Sequence, residues 1–314
     1  MALLIEQVVN GLQFGVLLFL LSAGLTLVFG IMGLVNLAHG SLYMLGAYFA
    51  VTFTTATGSF LLGMLLALAA TAGVGAVMEL VALRTLYRRS HLEQVLGTFG
   101  LVLFFDEATT MIWGPAGRSL APPAWLSGQV SILGVPYPTY RLAVLLAGIA
   151  VAGLLYWLVA RTRSGMLLRA AASNRTMAEA LGVNTRILFS AVFALGAVLS
   201  ALAGILAAPL LTVRVGMGNE VLLLAFVIVV IGGLGSVRGA LVAALAIGLL
   251  DTMGRAYLPA GLRAIFSAPV ADAVGPALSS MLIYVVMAAI LFARPEGLFP
   301  IQRRAEAGRA AGVA

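Results

Sequence analysis

His39 and His91 are the two histidines of the chain and cysteine is absent, so neither a histidine pair at metal-ligand spacing nor a thiolate is available. All eighteen basic residues are arginine. Without lysine there is no G-x-x-x-x-G-K-[ST] phosphate cradle, and the chain is not expected to hydrolyse ATP itself. No catalytic set, metal site or cofactor is expected. What remains is sparse polar chemistry in apolar sequence. Between 7 and 78 there is no Asp, Glu, Lys or Arg, and Asn36, His39 and Ser41 stand out in "NLAHGSLYMLGAY". A glycine-bearing turn at membrane depth must find partners for its freed backbone groups. His39 can supply them as a structural hydrogen-bonding residue, or the three residues can line or gate a pathway.

The acids are equally few. A charge at the centre of a membrane helix costs about 2.5–3.5 kcal/mol on insertion scales, so the adjacent Asp106 and Glu107 are expected to face the protein interior or be near-neutral, as pathway groups or as a structural pair. Glu79, close to Arg84, reads as interfacial. Asp251 is the remaining acid within an apolar stretch.

The elements that must position these groups follow from composition. Apolar residues make up 62% and charged residues 9% of the chain, against about a quarter charged in soluble domains, and the mean hydropathy is +1.11. This is the composition of an integral membrane protein. A bilayer core of roughly 30 Å takes about 20 apolar residues per helix. Segments of that kind fall at roughly 8–30, 34–56, 60–82, 95–113, 141–160, 187–210, 220–235, 237–254 and 276–293. The expected fold is therefore an all-α polytopic helix bundle of eight or nine transmembrane segments, residues 1–314 forming one domain. The first segment reads as a retained helix and not as a removable signal peptide.

Arginines cluster after the third segment (Arg84, Arg88, Arg89), around the loop 161–186 (Arg161, Arg163, Arg169, Arg175, Arg186) and in the tail (Arg294, Arg303, Arg304, Arg309). The positive-inside rule makes these regions cytoplasmic. The loop 114–140, with Pro and Gly punctuation and Trp113 and Trp125 nearby, suits the outer face. Nine crossings then place the amino terminus outside and the carboxyl terminus inside; eight result if 220–254, joined by "GGLGSVRG", is partly re-entrant. That glycine turn must lie against protein and not lipid. With its arginines spread over short loops, the net charge of +7 does not indicate nucleic-acid binding. Sliding the chain by 199 residues superposes Gly33, Gly40 and Leu42 on Gly232, Gly239 and Leu241, and sets the His39 turn against the Arg238 turn. This suggests two structurally related halves, with His39 and Arg238 near their interface.

The loop "RTRSGMLLRAAASNRTMAEALGVNTR" reads as one short amphipathic helix, capped by Ser164, carrying Met166, Ala170, Met177 and Leu181 along one face and ending at Gly182. It can lie on lipid headgroups or be offered to a partner's groove.

In four blocks the chain resembles the membrane permease subunits of ABC importers for branched-chain amino acids. "GLTLVFGIMGLVNLAHGSLYMLGAY" looks like that family's amino-terminal signature. The loop matches its T-x-x-G-x-x-x-R-A pattern at Thr162, Gly165, Arg169 and Ala170, followed by Asn174, Ala178, Gly182, Val183 and Asn184. "VIGGLGSVRGALVAALAIG" and "RPEGLF" are similar to its later blocks. The resemblance implies a pore subunit of a bacterial inner membrane, energised by two separate ATP-binding subunits and fed by an extracytoplasmic solute-binding protein. It implies that the loop is a coupling helix, with Gly165, Arg169, Ala170, Asn174, Ala178, Glu179, Gly182 and Asn184 docking on the ATPase. The chain looks like the smaller of the family's two permease types, which implies a second, larger permease as partner. Asn36, His39, Ser41, Asp106, Glu107 and Arg238 are the pathway or gate candidates. Thr109 and Thr110 follow the acids where the family often has a basic residue, which bears on local pairing and on the solute. Relatives of this type that import urea or short amides, and a self-sufficient secondary transporter, are the alternatives; only the last would need no ATPase dock.

Overall fold

A computed structural model describes residues 2–299 apart from 88 and 133. Arg88, Arg303, Arg304 and Arg309 lie outside the described residues. The chain runs α1 (Ala2–Met32), α2 (His39–Thr57) and α3 (Phe60–Met78), which continues through a π turn (Glu79–Leu83) into the short α4 (Arg84–Leu86). Then come α5 (His91–Trp113), a small antiparallel hairpin of β1 (Gln129–Ile132) and β2 (Val135–Pro138), α6 (Thr139–Arg161), α7 (Arg163–Ser173) and α8 (Arg175–Ala180). Four long helices close the chain: α9 (Thr185–Ala207), α10 (Met217–Gly232), α11 (Val237–Leu262) and α12 (Ala268–Ala293). Each expected apolar segment falls on a helix.

Among the described residues, seven helices are long and apolar enough to cross a bilayer. α2 and α10 are the exceptions. α10 has 16 residues, about 24 Å at 1.5 Å per residue. α2 has 19 residues but opens on His39-Gly40-Ser41. Starts and stops obey local chemistry. Ser90 and Glu93 cap α5 reciprocally, the Ser90 N–H donating to Glu93 Oε2 at 2.9 Å. Gly58, at φ +68°, ends α2 in the left-handed region that favours glycine.

Without a hydrophobic force between helices in lipid, packing depends on small residues that let backbones approach. α1 is the most buried of the spanning helices, and glycine contacts join it to its neighbours. Gly15 packs on Gly248 of α11 and Gly24 on Gly196 of α9. The same device joins α2 to α10 at Gly40 and Gly218, and α10 to α11 at Gly232 and Gly239. α3, α5, α6 and α12 form a rim with exposed Leu65, Leu96, Ile149 and Val285, the surface a lipid environment requires.

The bundle has two distinct ends. α7 and α8 project from one, here called the α7 end; the β hairpin covers the other, the hairpin end. There, Arg118 and Val213 exchange two backbone hydrogen bonds of 2.8 Å, and the Tyr137 hydroxyl donates to Asn10 Oδ1 at 2.9 Å. At the α7 end the chain after α12 folds back: the N–H groups of Leu298 and Phe299 donate to the carbonyls of Ile231 and Gly232 at 2.8 and 3.1 Å. Those carbonyls end a helix and would otherwise lack partners. The "GGLGSVRG" turn, with Gly233 and Gly235 at φ +97° and +84°, is thus packed on protein.

The His39 turn sits deeper than the inner end of a hairpin, where the sequence places it. His39 lies against Gly24 and Gly196. Gly24 is eight residues before the end of α1, about 12 Å of helix. Gly196 is eleven residues into α9, about 16 Å. α2 and α10 therefore both begin inside the bundle.

Candidate functional site

Asn36, His39 and Ser41 are all buried, at 0–1% exposure. Their backbone is served: Ser200 Oγ on α9 donates to the His39 carbonyl at 2.9 Å. Their side chains are not, since none of their polar atoms has a hydrogen-bond partner of good geometry among the described residues. The imidazole faces the Leu21 carbonyl and fills the space that Gly24 and Gly196 leave between α1 and α9. His39 thus acts here by volume more than by bonding freed carbonyls, the role expected from the sequence.

The acids separate. Asp106 is half-buried and accepts from Asn219 Nδ2 on α10 at 3.0 Å, one residue past the Gly40–Gly218 contact. Glu107 points away and is exposed, so it does not face the interior as expected. The reason is helical: consecutive residues are about 100° apart, and α5 offers only one face to the bundle. Glu79 stands beside Arg84, as the sequence expects, and is buried by protein at 3% exposure. Its Oε1 accepts from the Tyr87 hydroxyl and Ser190 Oγ, both at 3.0 Å, and from Arg84 Nε at 3.4 Å, tying α3 to α9 at the α7 end. Burial first, and the Glu79 charge second, hold the Tyr87 hydroxyl far above its ordinary pKa.

The segment 161–186 forms two helices, not the single one expected. Its cap is Thr162, whose Oγ1 accepts from the Gly165 N–H at 3.1 Å, and not Ser164. Asn174 breaks the segment and caps α8, accepting from Met177 N–H at 2.9 Å. Gly182 at φ +85° ends α8, and Asn184 caps α9 by accepting from Ile187 N–H at 3.1 Å. A Cβ at Gly165 would strike the last carbonyls of α6. Ala178 is buried with Ala171 and Phe189, while Glu179 accepts from Thr185 Oγ1. These residues shape the projection. Ala170 is exposed, and the apolar groups turned outward include Met166, Met177 and Leu181, at 56–78% exposure, with Leu167 less so.

Among the described residues, cavities enter the bundle at both ends. One of about 400 Å³ at the α7 end brings Arg169 of α7 and Arg238 of α11 together beside Gly30. Arg238 donates to the Tyr156 hydroxyl at 2.7 Å and stacks 4.9 Å from that ring's centre; Arg169 donates to the Val159 carbonyl. The other, of about 440 Å³, opens at the hairpin end between α1, α2, α6, α10 and α11. Its polar lining includes Gln13, Tyr43, Arg141 and Asp251, none of them a site candidate from sequence. Gln7, Asn10 and Gln13, spaced at three residues along α1, were the available signal.

A many-helix bundle with lipid-type faces, two helix starts inside it and a two-helix projection at one end defines a multi-pass membrane protein. The family described as "Branched-chain amino acid transport system / permease component" matches residues 7–291, and the chain belongs to that family. It is 29% identical to the high-affinity branched-chain amino acid transport system permease protein BraD of Pseudomonas aeruginosa, over 94% of this chain and 95% of that one. It is 28% identical to LivH of Escherichia coli, a permease of the same description, over 84% and 90%. A probable branched-chain amino acid transport permease LivH of Methanocaldococcus jannaschii is also 28% identical, over 77% and 78%. No solved structure matches.

Proposed function

We propose that the chain is one of two pore subunits of a binding-protein-dependent ABC importer for aliphatic amino acids in a bacterial inner membrane, with a second, larger permease as the other. The α7 end faces the cytoplasm, the chain crosses nine times, with α2 and α10 completed by the non-helical residues before them, and the carboxyl terminus is inside. The observation that carries this reading is the α7–α8 projection. Its frame is held by caps and small residues while Met166, Met177 and Leu181 stay bare, the pattern of a helix offered to a partner's apolar groove. The groove belongs to the ATP-binding subunits, and Gly165, Arg169, Ala170, Asn174, Ala178, Glu179, Gly182 and Asn184 belong to the projection that meets it. Tight glycine contacts between α1, α2, α9, α10 and α11 make the core a set of rigid elements that can shift as units. ATP binding to the partners supplies the difference in free energy between the two states of the pore. Asn36, His39, Ser41 and Asp106 sit where α2 and α10 begin, and lie along the path; Glu107 lies on the face of α5 turned to lipid or to the second permease. Arg238 lines the inner mouth, and the α2 and α11 starts are the related points of two halves.

The test is reconstitution. This polypeptide alone in vesicles should accumulate no leucine, isoleucine or valine under a proton or sodium gradient. Adding the second permease, both ATPases, ATP and the binding protein should produce uptake. Gradient-driven accumulation by the single chain would favour a secondary transporter instead.

A further inference from the structure

We propose that the cavity at the hairpin end is where the solute is first held within the bundle, and that it is shaped for an α-amino acid with an aliphatic side chain. This rests on the importer reading above. Phe14, Leu17, Leu18 and Val221 supply an apolar wall. Against it stand two buried polar groups, Gln13 at 5% and Tyr43 at 3% exposure, which line the cavity and form no hydrogen bond with described residues. Unlike the sealed polar atoms of Asn36, His39 and Ser41, the Gln13 amide and the Tyr43 hydroxyl stay open to the cavity space, so both can hydrogen-bond a polar guest there.

The charges state which guest. Asp251, with its side chain 8% exposed, has Arg255 Nε 2.9 Å from each of its oxygens. Arg141 donates to Asn10 Oδ1 at 2.7 Å and pairs with no carboxylate among the described residues. The cavity thus sets two guanidinium groups against one carboxylate, and a guest bringing its own carboxylate restores the balance. Its ammonium group takes the free lone pairs of Asp251. A volume of about 440 Å³ lies in the usual range for small-molecule sites and accommodates an aliphatic amino acid with water. Urea or a short amide has no carboxylate for Arg141 and leaves the apolar wall uncovered.

The complete complex in proteoliposomes, supplied with ATP and leucine-loaded binding protein, tests this by uptake of labelled leucine. Tyr43→Phe and Arg141→Gln should each lower uptake about tenfold or more at equal amounts of assembled complex. Arg141→Lys, which keeps the cation, should recover part of the loss. Val221→Trp, which fills the cavity, should abolish uptake while Val221→Ala does not. If Arg141→Gln fails to assemble, Tyr43→Phe decides, since it removes one hydroxyl. Assembled Tyr43→Phe importing leucine at the parental rate overturns the cavity assignment and leaves the importer reading standing. A parental complex that imports no aliphatic amino acid overturns the importer reading itself.

Discussion

Gly40 and Gly218 lie backbone against backbone, and a Cβ on either would run into the carbonyl group of the other. The contact sets the first turns of α2 and α10 side by side inside the bundle. Around it gather Asn219, which holds Asp106, and His39, whose carbonyl accepts from Ser200. The interior of the bundle therefore includes a junction of two helix starts, where a small shift of either helix changes which polar groups meet.

Filling that junction should be costly. Gly40→Leu or Gly218→Leu is expected to lower stability by about 1–3 kcal/mol or more, as overpacking does. Gly73→Ala, where nothing lies within 4 Å, should be neutral or gain about 0.5–1 kcal/mol. Thermal unfolding in detergent reads both, and a Gly40→Leu protein as stable as the parent removes the contact from the account.

His39 fills space between two glycines with both ring nitrogens lacking well-formed bonds, so its loss should act through packing. His39→Ala is expected to cost about 2–5 kcal/mol, in the manner of other large-to-small changes in a core, and His39→Asn less. The assembled His39→Asn complex should still import leucine. Full stability with near-zero uptake would mean that the imidazole itself meets the solute or gates the path, beyond filling space beside it.

Helix existence was legible throughout, because lipid demands long apolar runs and the chain supplies them in nine places. Depth was not. The sequence marks the His39 turn as polar and flexible, but only the pairing of Gly24 with Gly196 shows that it lies well inside the bundle. The loop 161–186 shows the same division. Its end at Gly182 follows from the residue type, while the break at Asn174 competes with an unbroken amphipathic pattern that hides it. Asp106 and Glu107 look alike as neighbours, and helical geometry alone sends them to different surroundings. The pairing of Glu79 with Arg84 was legible, while its burial was not, because its partner Ser190 is far away in sequence.

The Glu79 cluster makes stability depend on alkaline pH. Tyr87 has its folded pKa raised above the unfolded value, so its contribution is fully present below about pH 10 and falls as pH rises beyond that. Unfolding temperatures should be flat through neutral pH and decline above about pH 10. Tyr87→Phe should lower stability by about 1.5–3 kcal/mol at neutral pH, the worth of a hydrogen bond to a charged group, and make the alkaline decline shallower. An unchanged alkaline slope in Tyr87→Phe would remove this residue as its source.

Coupling to ATPase subunits calls for a test on exposed residues. Ala178 and Gly182 are unsuitable: Ala178 is buried against Ala171 and Phe189, and Gly182 has a positive φ, so a large side chain at either disturbs the projection itself. Met177 and Leu181 are 58% and 78% exposed and can be changed without touching the frame. Met177→Glu and Leu181→Glu should express, fold and unfold like the parent, within about 0.5 kcal/mol, as surface changes do. A carboxylate pressed into an apolar groove pays desolvation without a partner, so in the complex both should weaken ATPase association and abolish stimulation of ATP hydrolysis by loaded binding protein. Met177→Leu, which keeps the apolar contact, should retain it. Normal stimulation in a well-folded Met177→Glu, Leu181→Glu double variant would mean that the projection meets lipid headgroups and the motor docks elsewhere.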